Sequence, residues 1–282
     1  MFAATIAWPH VAGGQAGPAE DVFCRYLERG QPGPADNELQ ITTTDYVGAV
    51  EFKRRTDDEV AVSEDDQRVA CSGAEVPSVS NLDRISVRVS REAVDAVVLD
   101  LRNGPFAPGA TAEADGTAEI EISLEQAPET ELGVRGTSSS DHVQLGSLGG
   151  GGYGANLNAG IETAPDADVV ARNAGVFLAL GKGDDRVDPL GRAAFATRPF
   201  NASFSALGGG GDDVLVGNDR RNVLIGKRGR DRLVGNRVSD LLLAGPGPDR
   251  IEARSRDQDR VGCGAGRDVL RADRADRLRG CE

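Results

Sequence analysis

The amino-acid sequence predicts an all-β chain in which short strands stack as a solenoid. Two observations indicate this fold. A nine-residue pattern recurs from residue 208 towards the C-terminus, and short alternating strands separated by turn residues fill the segment upstream. The composition agrees, because 37 glycines suit closely spaced turns and an aromatic content of 4% leaves little for a large aromatic core.

Each nine-residue block is a glycine-rich turn followed by a three-residue strand. Successive blocks read GGGGDDVLV, GNDRRNVLI, GKRGRDRLV, GNRVSDLLL and AGPGPDRIE, and CGAGRDVLR continues the series nearer the C-terminus. The sixth place holds Asp213, Asn222, Asp231, Asp240, Asp249 and Asp268. The eighth place holds an apolar side chain that is predicted to point inward: Leu215, Leu224, Leu233, Leu242, Ile251 and Leu270.

Two blocks make one coil, so residues 18 apart are expected to lie above one another. Successive coils stack at the ~4.8 Å spacing of neighbouring strands. Leu215, Leu233 and Ile251 then form one inner column, and Leu224 with Leu242 forms the facing one. The columns are narrow, which explains why aromatic residues are scarce.

Weaker copies of the pattern lie upstream, as GTSSSDHVQ (136–144) and LGKGDDRVD (180–188). An insertion at 189–206 follows the second copy and carries Phe195, Phe200 and Phe204. We expect it to form a small lid on the core and to displace the coil neighbour of Asp184 and Asp185.

Residues 208–216 match the motif G-G-x-G-x-D-x-U-x at every constrained place. The chain therefore resembles the RTX, or haemolysin-type calcium-binding, repeat family. The resemblance implies a right-handed parallel β-roll, or β-helix solenoid, with Ca²⁺ held between the turns of adjacent coils. It also implies that the ligands are carbonyl oxygens of the glycine-rich turns and the sixth-place carboxylates, which are hard oxygen donors of the kind calcium prefers.

The ligand residues that the resemblance implies lie on one side of the solenoid. They are Gly208, Gly209, Gly211 and Asp213; Gly226, Gly229 and Asp231; Gly245, Gly247 and Asp249; Gly264, Gly266 and Asp268; and, further upstream, Asp185. The opposite turns, GNDRRN, GNRVSD and ARSRDQD, lack the second glycine, and one has Asn222 in place of aspartate. The sequence thus predicts up to three ions along the first side and few or none opposite.

Cationic side chains in these turns depart from the family pattern. Lys227, Arg228, Arg230 and Arg267 stand beside the candidate ligands and disfavour a nearby divalent ion. The alternative is that the aspartates only cap their turns by accepting backbone N–H bonds, without metal.

Four cysteines without a CxxC pair favour two disulfides over a zinc site, and therefore an extracellular, secreted protein. Cys263 and Cys281 are 18 residues apart, which places them on adjacent coils. Cys24 would then pair with Cys71, although no register supports that pair. Residues 1–20 fit the remnant of a signal peptide or a disordered leader.

The remaining chain divides into three segments. Residues 21–135 are expected to form further β-solenoid coils or a small separate β domain. Residues 136–206 carry the degenerate repeats and the insertion, and residues 207–282 form the nonapeptide β-roll with a C-terminal disulfide cap.

No catalytic motif is present in the sequence. HExxH and G-x-S-x-G are both missing, and the only histidines are His10 and His142. A non-catalytic, secreted, calcium-binding scaffold is therefore expected. The alternatives are a β-helix enzyme that acts on polysaccharide, as a lyase or epimerase, and a metal-free adhesin or structural solenoid.

The expected partners are calcium ions, with an extracellular or cell-surface polysaccharide as a further candidate. A net charge of −13 disfavours nucleic acid. No apolar run approaches the ~20 residues of a membrane helix. The protein is expected to be a monomer.

Overall fold

The structure is a computed structural model that describes residues 22–28, 37–43, 47–73, 75–89, 94–104, 120–125, 130–149, 152–157, 168–172, 175–190 and 196–281. Within these ranges every helix-or-strand element is a β-strand. The predicted all-β class is therefore confirmed. The expected leader, residues 1–20, and Phe195 of the insertion lie outside the described residues.

No helix in the described ranges is long and apolar enough to cross a membrane.

The strands of the N-terminal half are mostly five to eight residues long. They are β1 (Val22–Leu27), β2 (Glu38–Thr43), β3 (Val47–Arg54), β4 (Val60–Glu64), β5 (Gln67–Val69), β6 (Cys71–Ser72), β7 (Arg84–Val89), β8 (Val94–Asp100), β9 (Glu121–Glu125), β10 (Glu131–Arg135), β11 (His142–Gly149) and β12 (Gly152–Asn156).

In the C-terminal half, three-residue strands alternate with longer ones. The strands are β13 (Val169–Arg172), β14 (Val176–Lys182), β15 (Arg186–Asp188), β16 (Arg198–Pro199), β17 (Phe204–Gly210), β18 (Val214–Val216), β19 (Asn222–Arg228), β20 (Arg232–Val234), β21 (Leu241–Pro246), β22 (Arg250–Glu252), β23 (Arg260–Ala265), β24 (Val269–Arg271) and β25 (Arg277–Arg279).

The strands form two sheets. One has the order β24-β22-β20-β18-β15-β11-β12-β13-β9-β7-β2-β1-β6, with β16 beside β11, and the other has the order β25-β23-β21-β19-β17-β14-β10-β8-β3-β4-β5. From β17 onwards the chain alternates between the sheets, and each strand pairs in parallel with the second strand after it.

The segment 21–135 contributes to these same sheets. β10 pairs in parallel with both β8 and β14, and β9 pairs in parallel with both β7 and β13. The N-terminal strands are thus joined by backbone hydrogen bonds to the strands that lead into the repeats. Antiparallel pairs occur at hairpins such as β3–β4 and β11–β12.

The apolar core lies between the sheets in the predicted columns. Leu215 pairs with Leu233 and Leu233 with Ile251, while Leu224 pairs with Leu242. All five side chains are fully buried. The nine-residue period therefore predicts the strand register correctly, since each inward position pairs with its equivalent on the next coil.

The described part of the insertion packs into the core. Phe200 and Phe204 are buried, and the ring of Phe200 makes edge contacts with Tyr153 at 5.2 Å and with Phe204 at 6.1 Å between centroids. Edge-to-face contacts of this kind suit the positive edge and negative face of aromatic rings.

Both predicted disulfides are present. Cys263 is bonded to Cys281 across 18 residues, and this bond ties β23 to the segment after the edge strand β25. Cys24 is bonded to Cys71 across 47 residues. The second pair has a register after all, because β1 and β6 run parallel with Cys24 directly opposite Cys71.

Candidate metal centre

The predicted ligand residues lie in one series of turns, which we call the first turn stack. It consists of the turns at 180–185, 208–213, 226–231, 244–249 and 263–268, each of which leads into a short strand of the larger sheet. The structure therefore brings all the predicted ligand residues together along one side of the two sheets. The intervening turns, at 217–222, 235–240, 253–259 and 272–276, form the second turn stack.

The sixth-place aspartates of the first turn stack form a continuous hydrogen-bonded column. The backbone N–H of each donates to Oδ1 of the aspartate on the next coil: Asp185 to Asp213 at 2.9 Å, Asp213 to Asp231 at 3.0 Å, Asp231 to Asp249 at 2.8 Å and Asp249 to Asp268 at 3.0 Å. One oxygen of each accepting carboxylate thus serves the turn-capping role of the metal-free alternative.

The second oxygen of these carboxylates has no such role. Oδ2 of Asp185, Asp213, Asp231 and Asp249 is buried and has no hydrogen-bond partner in the described part of the chain. The four residues are at most 1% exposed. A buried carboxylate oxygen without a partner is costly, because it loses water without a compensating interaction.

Burial changes the acidity of the column. Loss of solvation raises the pKa of Asp185 and of Asp213 to about 7 and that of Asp231 to about 6, and it also raises the pKa of Asp249. The backbone hydrogen bond to each carboxylate opposes this increase, and the charge of the neighbouring carboxylates adds to it. At neutral pH the column therefore favours either a proton or a cation.

Backbone carbonyl oxygens provide further hard donors in the same turns. A Cβ atom placed on Gly229 would lie 1.8 Å from the carbonyl oxygen of Gly211, and one on Gly247 would lie 1.5 Å from that of Gly229. Fourth-place carbonyl oxygens of one coil thus point at the backbone of the next coil. Carbonyl and carboxylate oxygens are both hard donors of the kind that Ca²⁺ takes, so the chemistry of these turns fits the ion.

The cations of the turn at 226–231 do not occupy the column. Lys227, Arg228 and Arg230 are exposed, and none forms an ion pair with Asp213 or Asp231 among the described residues. The backbone N–H of Arg230 instead donates to Asp212 Oδ1 at 2.8 Å. The carboxylates of Asp213 and Asp231 therefore remain available for an ion.

Lys227 occupies a backbone conformation that favours glycine. Its φ is 83°, at the second place of the block, where Gly209, Gly245 and Gly264 have φ between 103° and 125°. A left-handed conformation costs a residue with a Cβ roughly 1–2 kcal/mol.

We expect Lys227→Gly to stabilise the protein by about 0.5–1 kcal/mol, because strain relief exceeds the added backbone entropy of glycine. Arg228→Gly removes the same charge one residue later, where φ is not positive, and should destabilise by about 0.5–1 kcal/mol. Urea unfolding of both variants checks the pair, and equal effects would contradict the backbone explanation.

The prediction that the insertion displaces the neighbour of Asp185 was wrong. β15 pairs in parallel with β18, with Val187 opposite Leu215, although the two are 28 residues apart. Asp185 therefore lies in the column with Asp213, to whose carboxylate its backbone N–H donates in spite of the intervening insertion. Asp141, in the upstream copy GTSSSD, extends the column by donating its N–H to Asp185 Oδ1 at 2.8 Å.

The second turn stack has a similar ladder but is mostly satisfied. Asn222, Asp240 and Asp259 donate their N–H groups to Oδ1 of Asp240, Asp259 and Asp276 at 2.7, 2.8 and 3.0 Å. Asp259 Oδ2 has Ser255 Oγ at 3.5 Å and Asp276 Oδ2 accepts from the Asp273 N–H. Of the described carboxylates in this stack, Asp240 alone has an unpaired buried oxygen.

Asp240 therefore shares with the first turn stack a buried carboxylate oxygen that has no hydrogen-bond partner among the described residues. Burial raises its pKa to about 8, with the nearby charge of Asp259 adding to the increase. Its neighbours on the coils before and after do not continue the pattern, since Asn222 carries no charge and Asp259 has a second partner. An isolated unpaired oxygen gives an ion fewer carboxylate ligands than the first turn stack does.

Comparisons with protein families, with curated proteins and with solved structures each returned no match. The described residues contain no group of three or more His, Cys, Asp or Glu side chains placed to hold a metal together. A calcium ion in the first turn stack would accordingly depend on backbone carbonyls for most of its ligands.

Proposed function

We propose that the chain is a right-handed β-roll solenoid of the RTX repeat class that binds Ca²⁺ between successive turns of the first turn stack. Bound calcium supplies positive charge to the column and stabilises the fold. The protein acts outside the cell as a non-catalytic scaffold, and its two disulfides suit such an oxidising environment.

The observation that carries this proposal is the run of unpaired Oδ2 atoms on Asp185, Asp213, Asp231 and Asp249. Hydrogen bonds satisfy only one oxygen of each carboxylate, so capping alone leaves buried charge uncompensated. A divalent cation between consecutive carboxylates compensates two of them at once. Asp213 and Asp231 would hold the central ion together with carbonyls of their glycine-rich turns.

The unpaired carboxylate oxygens also explain why the ions are proposed on one side only. The first turn stack has four unpaired buried carboxylate oxygens in succession, whereas the described second stack has one. Ions are therefore proposed along the first stack, up to three in number, with affinities near the ~10⁻⁴–10⁻³ M typical of extracellular calcium modules.

Matched variants test this assignment. Asp231→Asn keeps an oxygen acceptor for the Asp213 N–H but removes the charge, so it should lower the number of calcium ions bound. Asp240→Asn makes the same change in the second stack and should leave that number unchanged. Isothermal titration of calcium into the metal-stripped full chain gives the stoichiometry.

Two results would contradict the proposal. Equal losses in Asp231→Asn and Asp240→Asn would overturn the one-sided arrangement. A wild-type chain that takes up no calcium at millimolar concentration would favour the metal-free structural solenoid.

A further inference from the structure

An open groove of about 580 Å³ lies along the second turn stack. Its cationic lining comes from two successive turns: Arg237 from one, and Arg254 and Arg256 from the next. Asn236, Ser255, Asp219 and Asp273 complete the lining. We call this surface the arginine groove.

Two of the three guanidinium groups have no carboxylate partner in the part of the chain that the structure describes. Arg237 lies 3.6 Å from Asp219, as an exposed ion pair. Arg254 and Arg256 form no ion pair with any described residue. The carboxylate of Asp273 is already engaged, since Oδ2 accepts from the backbone N–H groups of Ser255 and Arg256 at 3.0 and 2.8 Å. The groove therefore has positive charge available for an anion.

Hydrogen bonds hold the groove's backbone in an unusual conformation. Asn236, Val238 and Arg256 have φ of 68°, 70° and 71°, which glycine would normally occupy. Asn236 Nδ2 donates to the Gly217 carbonyl at 2.6 Å, and the Val238 N–H donates to Asp257 at 3.1 Å. The side chains thus project from a fixed backbone, and a preorganised site loses less entropy on binding.

We infer that the arginine groove binds a carboxylated polysaccharide, that is, a glycan containing uronic acids. Arg254 and Arg256 pair with sugar carboxylates, because a guanidinium matches the geometry of a carboxylate. Asn236 Oδ1 and the carboxylate of Asp219 accept hydrogen bonds from sugar hydroxyls.

The composition of the groove favours this ligand over nucleic acid. Asp219 accepts hydrogen bonds from hydroxyl groups, which a sugar chain offers in far greater number than a phosphodiester backbone, and no aromatic side chain lines the groove to stack on bases. The net charge of −13 gives no long-range attraction to polyanions, so binding depends on these short contacts.

Titration of the full chain with tetragalacturonate, in millimolar calcium, tests the inference. Arg254→Gln/Arg256→Gln should weaken binding at least about tenfold, because two charge-assisted contacts are lost. Arg228→Gln/Arg230→Gln removes the same charge from the first turn stack and should change affinity by less than about twofold. The wild-type chain should bind the glycan equally in millimolar calcium and in chelator, so failure of the calcium proposal is distinguishable.

Several results would overturn the inference. One is an absence of binding by the wild-type chain. Another is equal weakening by both double variants, which would indicate non-specific attraction. Affinity that survives Arg254→Gln/Arg256→Gln would indicate calcium-bridged binding elsewhere, and equal affinity for oligothymidylate would assign the groove to polyanions in general.

Discussion

The calcium-free protein is expected to be more stable at about pH 4.5 than at about pH 8, because its buried carboxyl column favours the protonated form. The pKa values of Asp185 and Asp213 are raised to about 7 and that of Asp231 to about 6. In the unfolded chain the same groups ionise near their ordinary value of 3.8.

The sign of the effect follows from proton uptake. Between the unfolded and folded pKa values, roughly pH 4 to 7, the folded state holds protons that the unfolded state has released, so stability falls as pH rises. Each pKa unit corresponds to about 1.4 kcal/mol, so the column should lose about 3 kcal/mol or more over this range. Asp240, whose pKa is raised to about 8, extends the decline.

Asp100, which lies outside the column, limits the stability at low pH. Burial raises its pKa, but the side-chain and backbone hydrogen bonds from Arg102 and the positive charges of Arg102 and Lys53 lower it to about 2. Its contribution is present above the unfolded pKa and is lost as pH falls towards 2. The stability maximum of the calcium-free chain should therefore lie near pH 4–5.

Calcium should reverse the trend above neutrality, since it binds the ionised carboxylates. An ion at ten times its Kd adds about 1.4 kcal/mol per independent site. The increment should be small at about pH 4.5, where protons compete with the metal, and largest at about pH 8.

Urea unfolding of metal-stripped and calcium-loaded protein across this pH range measures both effects. Asp213→Asn is the matched control, because it keeps an oxygen acceptor for the Asp185 N–H and should flatten both curves. Calcium-free stability that rises steadily from pH 4.5 to 8 would contradict the buried, uncompensated column.

The repeat period predicts the register because it relates residues that occupy equivalent places. Counting 18 residues places Leu215 against Leu233 and Cys263 beside Cys281, and the structure has both. The same counting fails at Asp185, because the insertion separates the paired residues Val187 and Leu215 by 28 positions without altering the parallel pairing of β15 with β18.

Other features depend on distant pairings that no local pattern encodes. Cys24 meets Cys71 because β1 and β6 are parallel neighbours, across 47 residues of intervening chain. The arginine groove arises from the opposite turns, which lack the second glycine of the motif, and the residues that replace the glycine pattern provide its side chains. The unpaired Oδ2 atoms depend on burial, which the repeat motif does not specify.

Gly229→Ala is expected to destabilise the protein by about 3 kcal/mol or more, through two effects at one residue. The φ of Gly229 is 138°, which disfavours any residue with a Cβ atom. The added Cβ would also lie 1.8 Å from the carbonyl oxygen of Gly211. This neighbour is backbone within a ladder, because the Gly211 N–H donates to the Arg228 carbonyl at 3.0 Å. It cannot move without breaking the stack.

Gly210→Ala is the matched control for this substitution, because it adds the same methyl group to the preceding coil. A Cβ on Gly210 would have no heavy atom within 4 Å, and its φ is not positive. Its effect should stay within about 0.5 kcal/mol or stabilise slightly, since alanine reduces the entropy of the unfolded chain.

Urea unfolding of both variants in calcium-free buffer at about pH 5 isolates packing from metal binding, because the column is then largely protonated. Equal stability of the two variants would mean that the carbonyl oxygen of Gly211 lies farther from Gly229 than the structure places it. The carbonyl oxygens and carboxylates of adjacent turns would then be too distant to share a calcium ion.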